Sequence, residues 1–157
     1  MSELKLERTF QAPPEQVFDA WVNPELLRRW WAAQPDWTCP AAEVDAREGG
    51  RYELSMQQAD NGAVHTVVGE YREVERPSRL VYTWAWKGEG ADAEGGEAGA
   101  EETLVTVEFH GEDGATRVAL THTGFASDES RANHEHGWNG CLDNLERRVF
   151  AGAGARG

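Results

Sequence analysis

Residues 79–87 read Arg-Leu-Val-Tyr-Thr-Trp-Ala-Trp-Lys. Leu80, Tyr82, Trp84 and Trp86 fall at every second position, the period of a strand with one buried face. The flanking sequence repeats that theme. Upstream, Arg76-Pro77-Ser78 reads as a turn, and Val64–Val74 as a strand with Val67, Gly69 and Tyr71 on one side. Asp60-Asn61-Gly62 is a hairpin signal, since Asn-Gly accepts positive φ. Before it, Gly49-Gly50 leads into Arg51–Gln58, where Tyr52, Leu54 and Met56 share a face. Ala42–Arg47 is a shorter strand candidate, and Pro35 to Pro40 reads as loop. Downstream, Thr103–Phe109 aligns Val105, Val107 and Phe109. Glu112-Asp113-Gly114 turns the chain, and Thr116–Thr123 returns with Val118, Leu120 and His122 together. Consecutive strands joined by hairpin turns predict an antiparallel sheet.

The two ends of the chain supply what covers that sheet. Leu4–Phe10 alternates as a first strand, stopped by Pro13 and Pro14. Pro14 suits a first helical turn, where a missing N–H costs nothing. Val17, Phe18 and Trp21 give that helix an apolar face. Asn23-Pro24-Glu25 starts a second short helix, with an N-cap, a proline at the first position and an acid at the positive end. It carries Leu26 and Leu27 and ends at Trp30-Trp31, expected at the edge of the aromatic inner face. After Ser127 or Asp128 as cap, Trp138, Cys141, Leu142, Leu145 and Val149 form one stripe of a long last helix. Arg147 and Arg148 are expected in its last turn, opposing the helix dipole. The order β, α, α, about six strands, long α gives an α+β class: a curved antiparallel sheet gripping a long C-terminal helix.

The 157 residues fit one domain, expected over 1–150. The net charge is −13, from 15 basic and 28 acidic residues. Six of those acids, with no compensating base, lie in the segment Gly88–Glu102. No apolar residue larger than alanine occurs from Gly88 to Glu101, so residues 88–101 are expected to be a flexible acidic hairpin insertion. The tail 151–157 is expected to fray. An acidic chain without a basic stripe argues against nucleic acid and against an anionic membrane surface as partners. Met1–Arg8 is charged and alternating and is not expected to be a signal peptide, no run approaches the ~20 apolar residues of a span, and Cys39 and Cys141 lack metal-type spacing. A reduced, cytoplasmic protein is the expectation.

Seven Trp, three Tyr and five Phe are the most informative residues, and the chain has no Ile. One reading is that these rings fill the core. The other is that large rings with polar tips line a cavity for an apolar or aromatic ligand. The cavity set is Trp30, Tyr52, Met56, Tyr71, Tyr82, Trp84, Trp86, Phe109, His122, His134, Trp138 and Leu142. His65 and His110 lie near turns and read as solvated. His134 and His136 point away from each other on a helix and could not chelate one metal; His134 aligns with Trp138 and is expected at the cavity mouth. His122 is the weak catalytic candidate. No nucleophile elbow, P-loop, dinucleotide fingerprint or metal motif occurs, so no catalytic residue, metal or cofactor is assigned. Glu43 and Asp45 beside Arg47 and Arg51 read as a surface ion-pair cluster.

Ala12-Pro13-Pro14-Glu15-Gln16-Val17-Phe18-Asp19-Ala20-Trp21, Asn23-Pro24-Glu25-Leu26-Leu27 and Trp30-Trp31 resemble the opening of the activator of heat-shock-protein-90 ATPase homologue-like family. That family lies within the START-like (SRPBCC, polyketide cyclase/dehydrase) superfamily. The likeness continues through Asp45-Ala46-Arg47-Glu48-Gly49-Gly50, Gly69–Val74, Pro77–Trp84, Thr116-Arg117-Val118, Leu120-Thr121-His122 and Gly137-Trp138. It covers Leu4 to Val149. It implies a helix-grip fold with two short helices closing one end, and a cavity between sheet and helix that often takes a hydrophobic small molecule. It implies no catalytic motif. Members that stimulate the heat-shock ATPase carry an additional N-terminal domain, for which this chain is expected to have no room.

The leading expectation is binding of a hydrophobic or aromatic small molecule. One alternative is a cyclase or dehydratase using His122 as acid–base, with Tyr52 or Tyr82 as donor. Another is a chaperone-cofactor or protein-interaction module. A homodimer through the sheet edge or the Trp30–Trp31 patch is left open.

Overall fold

A computed structural model describes residues 2–32, 36–60, 62–86, 103–125 and 127–150. The insertion expected over 88–101 and the tail 151–157 lie outside the described residues. The chain runs β1 (Ser2–Phe10), α1 (Pro14–Val22), α2 (Pro24–Trp30), then β2 (Thr38–Val44), β3 (Arg51–Gln57), β4 (Val64–Glu75), β5 (Arg79–Trp86), β6 (Thr103–Glu112) and β7 (Ala115–Phe125). A long helix α3 (Asp128–Leu145) follows, continued by a wider π-helical turn, Glu146–Phe150. The seven strands form one antiparallel sheet in the order β1-β7-β6-β5-β4-β3-β2. Each strand from β2 to β7 neighbours its successor, and β1 closes the far side against β7. This is the curved sheet and C-terminal helix of a helix-grip α+β fold.

The alternation along the strands sorts the faces. Tyr82, Trp84, Val105, Val107, Phe109, Val118, Leu120 and His122 are all buried. α3 lays Trp138, Cys141, Leu142 and Leu145 on that face and touches β1, β7 and α2. Each large apolar side chain so buried contributes about 1.5–3 kcal/mol relative to exposure. α1 crosses β6 and β7, and α2 packs on β2. The two short helices thus roof the part of the sheet that α3 leaves uncovered.

The caps follow the sequence signals. The Asn23 side chain accepts from Glu25 N at 2.9 Å, and Ser127 Oγ accepts from Ser130 N at 3.0 Å. Each such cap stabilises its helix by about 1 kcal/mol. Gly49 turns the chain at φ 85°, and Asp45 pairs with Arg47 at 2.9 Å.

Four expectations need correction. β2 begins at Thr38, inside the stretch read as loop. Pro40 is tolerated because β2 is an edge strand whose register shifts between Thr38 and Ala41. Trp30 and Trp31 are 0% and 2% exposed and so form no surface patch for a homodimer, because α2 turns its C-terminal end into the core. Regular α-helix stops at Leu145, so Arg147 and Arg148 lie in the π-helical turn beyond it. His65 is half-buried and stacks on Trp37 at 6.0 Å between centroids, not simply solvated.

Candidate functional site

The concave face carries a continuous aromatic assembly. Phe18 meets Phe109 at 5.3 Å between ring centroids, Phe109 meets Trp21 at 5.5 Å, and Trp21 meets Trp30 at 5.0 Å. Trp31 touches Trp30, Trp84 and Trp138 edge-on at 5.5 to 5.7 Å. Tilted and edge-on geometries are the ones the ring quadrupoles favour.

A cavity opens within this assembly, lined by Trp21, Leu27, Trp31, Tyr52, Leu54, Tyr71, Tyr82 and Trp84. Its volume is about 10 Å³, the room of about one water molecule. Three strands and both short helices build it. β3 supplies Tyr52 and Leu54, β4 supplies Tyr71, and β5 supplies Tyr82 and Trp84. α1 supplies Trp21, α2 supplies Leu27, and the residue just past α2 supplies Trp31. The three tyrosine rings meet one another at 5.2 to 5.8 Å.

Gly69 explains how Tyr52 fits. A Cβ at Gly69 would collide with the Thr83 carbonyl oxygen and come within 2.6 and 2.7 Å of the Tyr52 ring and hydroxyl. The ring therefore lies against bare backbone of β4, which lets the Tyr52 hydroxyl reach across and donate to Thr83 O at 2.5 Å. Trp21 Nε1 donates to the Tyr82 hydroxyl at 3.3 Å. Burial pushes the Tyr71 and Tyr82 phenols above their ordinary range, with the Asp45 charge adding to the effect at Tyr71. Both phenols therefore stay protonated at neutral pH. Among the described residues the buried Trp31 Nε1 has no hydrogen-bond partner, and neither has the Tyr71 hydroxyl.

Of the residues singled out from the sequence, the structure brings Tyr52, Tyr71, Tyr82 and Trp84 to the cavity wall. Trp30, Met56, Phe109, Trp138 and Leu142 are buried in the surrounding core instead. Trp86 ends β5, and its side chain is outside the described residues. The four wall residues absent from that set are Trp21, Leu27, Trp31 and Leu54. Leu54 was legible as the neighbour of Tyr52 on the same strand face. The helical three needed the docking of α1 and α2.

His122 and His134 form a separate cluster beneath α3. Trp138 Nε1 donates to His122 Nδ1 at 3.1 Å, so Nδ1 carries no proton. Nε2 then holds the proton and donates to Thr103 Oγ1 at 2.7 Å, and Thr103 donates to Trp84 O at 3.2 Å. Both ring nitrogens are engaged, and His122 is not part of the cavity wall. Burial, and secondarily the nearby His134, hold its pKa well below the ordinary histidine value. His134 is half-buried, with Nδ1 on Ser130 O at 2.8 Å and its ring against Phe125 and His122. It sits in this cluster and not at the cavity.

Among the described residues no group of three or more His, Cys, Asp or Glu is placed to hold a metal ion. No helix there is long and apolar enough to cross a membrane.

Comparison with known proteins agrees with this architecture. The profile described as Activator of Hsp90 ATPase homolog 1-like protein matches residues 11–149. The solution structure of the AHSA1-like protein from Aeromonas hydrophila is 29% identical over 97% of this chain and 94% of that one, with a TM-score of 0.76. The AHSA1 protein from Silicibacter pomeroyi is 27% identical, covering 92% and 94% of the two chains at a TM-score of 0.77. A protein from Rhodobacter sphaeroides shares the fold at 22% identity and a TM-score of 0.77, covering 99% and 94%. Among curated proteins, none matches.

Proposed function

The chain belongs to the activator of Hsp90 ATPase homolog 1-like family, and from that premise we propose that it binds an apolar or aromatic small molecule in the Tyr52–Tyr71–Tyr82 cavity. The carrying observation is the wall itself: three tryptophans, three tyrosines and two leucines around one small, largely apolar cavity. Such a wall suits recognition of an apolar body with a few directed polar contacts. The space present holds about one water, so a ring-sized ligand enters by displacing Trp31, whose backbone lies just beyond α2. Trp31 gives up no indole N–H hydrogen bond to any of the described residues in moving. The two buried, unpaired thiols fit a reducing compartment, and we place the protein in the cytoplasm on that ground.

The test is a panel of one- and two-ring compounds followed by thermal shift and tryptophan fluorescence. At least one should bind saturably and raise the melting temperature. Leu54→Trp, which fills the cavity, should abolish that response. A panel with no saturable binder overturns the reading.

A further inference from the structure

We propose that the ligand of this cavity is neutral and presents a hydrogen-bond acceptor, such as a carbonyl oxygen attached to a ring, to the Trp31 indole N–H and the Tyr71 and Tyr82 hydroxyls; this rests on the cavity being a binding site. The inference comes from which polar atoms of the wall are already committed. Tyr52 donates to Thr83 O. Trp21 donates to the Tyr82 oxygen. The Tyr82 oxygen is thereby used as an acceptor, while its own proton has no acceptor among the described residues. Among the described residues Trp31 Nε1 is buried without a partner, and the Tyr71 hydroxyl makes no hydrogen bond. The cavity therefore holds three uncommitted donors.

Its side-chain acceptors are the tyrosine hydroxyl oxygens, of which that of Tyr82 already accepts from Trp21. Leu27 and Leu54 have none in their side chains, and an indole N–H only donates. A ligand bringing only a donor can be taken by a tyrosine hydroxyl oxygen but leaves the buried Trp31 N–H unsatisfied, whereas an acceptor satisfies that N–H and also takes the hydroxyl protons. Charge narrows the class further. Among the described residues no Lys or Arg lines the cavity, and the Asp45 charge is felt at Tyr71. A carboxylate entering there would lose its hydration without a cation to replace it. A neutral ketone, ester or amide carbonyl on an apolar ring meets both conditions.

Three one-ring probes separate the possibilities, with affinities measured by ligand-observed NMR on the full chain. Acetophenone carries a neutral acceptor, ethylbenzene none, and benzoate a charged one. Acetophenone should bind at least five-fold more tightly than either of the others. Tyr71→Phe and Trp31→Phe each remove one uncommitted donor and no existing hydrogen bond. Each should lower the ratio of acetophenone affinity to ethylbenzene affinity about two- to ten-fold, whatever it does to ethylbenzene binding itself, with melting curves confirming that both variants are folded. Equal binding of acetophenone and ethylbenzene overturns the acceptor proposal while the binding reading stands. Benzoate binding as tightly as acetophenone overturns the neutral class. Failure of all three probes, and of the wider panel, overturns the binding reading and this proposal with it.

Discussion

Trp138 donates its indole N–H to Nδ1 of His122 across 3.1 Å, from the middle of α3 to the middle of β7. That bond requires an unprotonated Nδ1, so a neutral imidazole is built into the contact between helix and sheet. Protonation would turn Trp138 and His122 into two facing donors inside the core. The groups packed around the ring are Thr103 from β6, Trp84 from β5, Phe125 at the end of β7, and His134 from α3. His134 is the titratable one, and its charging would oppose that of His122.

Stability should therefore fall in acid. The His122 pKa is depressed on folding, so the unfolded chain binds the proton first. Stability is full above about pH 6.5 and declines as pH falls from there toward the folded-state pKa. One such group contributes a loss of roughly 1 kcal/mol between pH 6.5 and 5.5. Urea unfolding at pH 7.5, 6.5 and 5.5 measures it. His122→Gln should be less stable at neutral pH but lose less over the same interval. An identical pH slope in the variant would assign the acid sensitivity to other groups.

Two glycines should respond in opposite directions. Gly69→Ala drives a methyl onto the Thr83 carbonyl and the Tyr52 ring, and overpacking of this kind costs about 1–3 kcal/mol. Gly137 lies inside α3 with nothing within 4 Å of an added Cβ. Gly137→Ala should gain about 0.5–1 kcal/mol from helix propensity and a less flexible unfolded chain. Thermal melts of both variants check the pair. A Gly69→Ala protein as stable as the parent would contradict the close approach of Tyr52 to β4.

These contacts mark where the sequence is readable. Alternation in Arg79–Trp86 and its neighbours reports strand, face and hairpin partner, because side-chain period and turn chemistry are local. Asn23 and Ser127 announce helix starts for the same reason. Locality ends at the cavity. His122, Trp138 and Leu142 share the concave face with Tyr52, Tyr71 and Tyr82, and nothing in the alternation says that α3 covers one part and Trp31 another. That division depends on where α1 and α2 dock, a long-range packing outcome. Thr38-Cys39-Pro40 was obscured differently. Proline argues for loop unless the strand is known to be an edge, and edge position is a property of the whole sheet.

The two cysteines should be nearly inert in the folded protein. Burial pushes the Cys39 thiol up to about 11 and the Cys141 thiol up to about 12, and the thiolate is the reactive species. At pH 8 the thiolate fraction of Cys39 is on the order of one in a thousand. Iodoacetamide at pH 8 should leave both unmodified over an hour in native buffer and alkylate both rapidly in urea, as read by intact mass. Prompt modification of either thiol without denaturant would show that its surroundings open readily.

Asn144 ties the cavity wall to α3. Its side chain is fully buried, Nδ2 donates to Ala32 O at 2.8 Å, and Oδ1 accepts from Arg147. Ala32 directly follows Trp31, so this bond holds the backbone that positions the Trp31 ring in the cavity wall. Asn144→Ala removes the tie and leaves a small void. It should cost about 1–3 kcal/mol in urea unfolding. A purely global loss of stability would leave the native tryptophan environment unchanged under folding conditions. The tie to Trp31 instead predicts a red-shifted native emission maximum and faster acrylamide quenching, as the Trp31 indole gains access to water. Trp31→Phe on the Asn144→Ala background should abolish both changes. Persistence of the shift in that double variant would place the loosened tryptophan elsewhere.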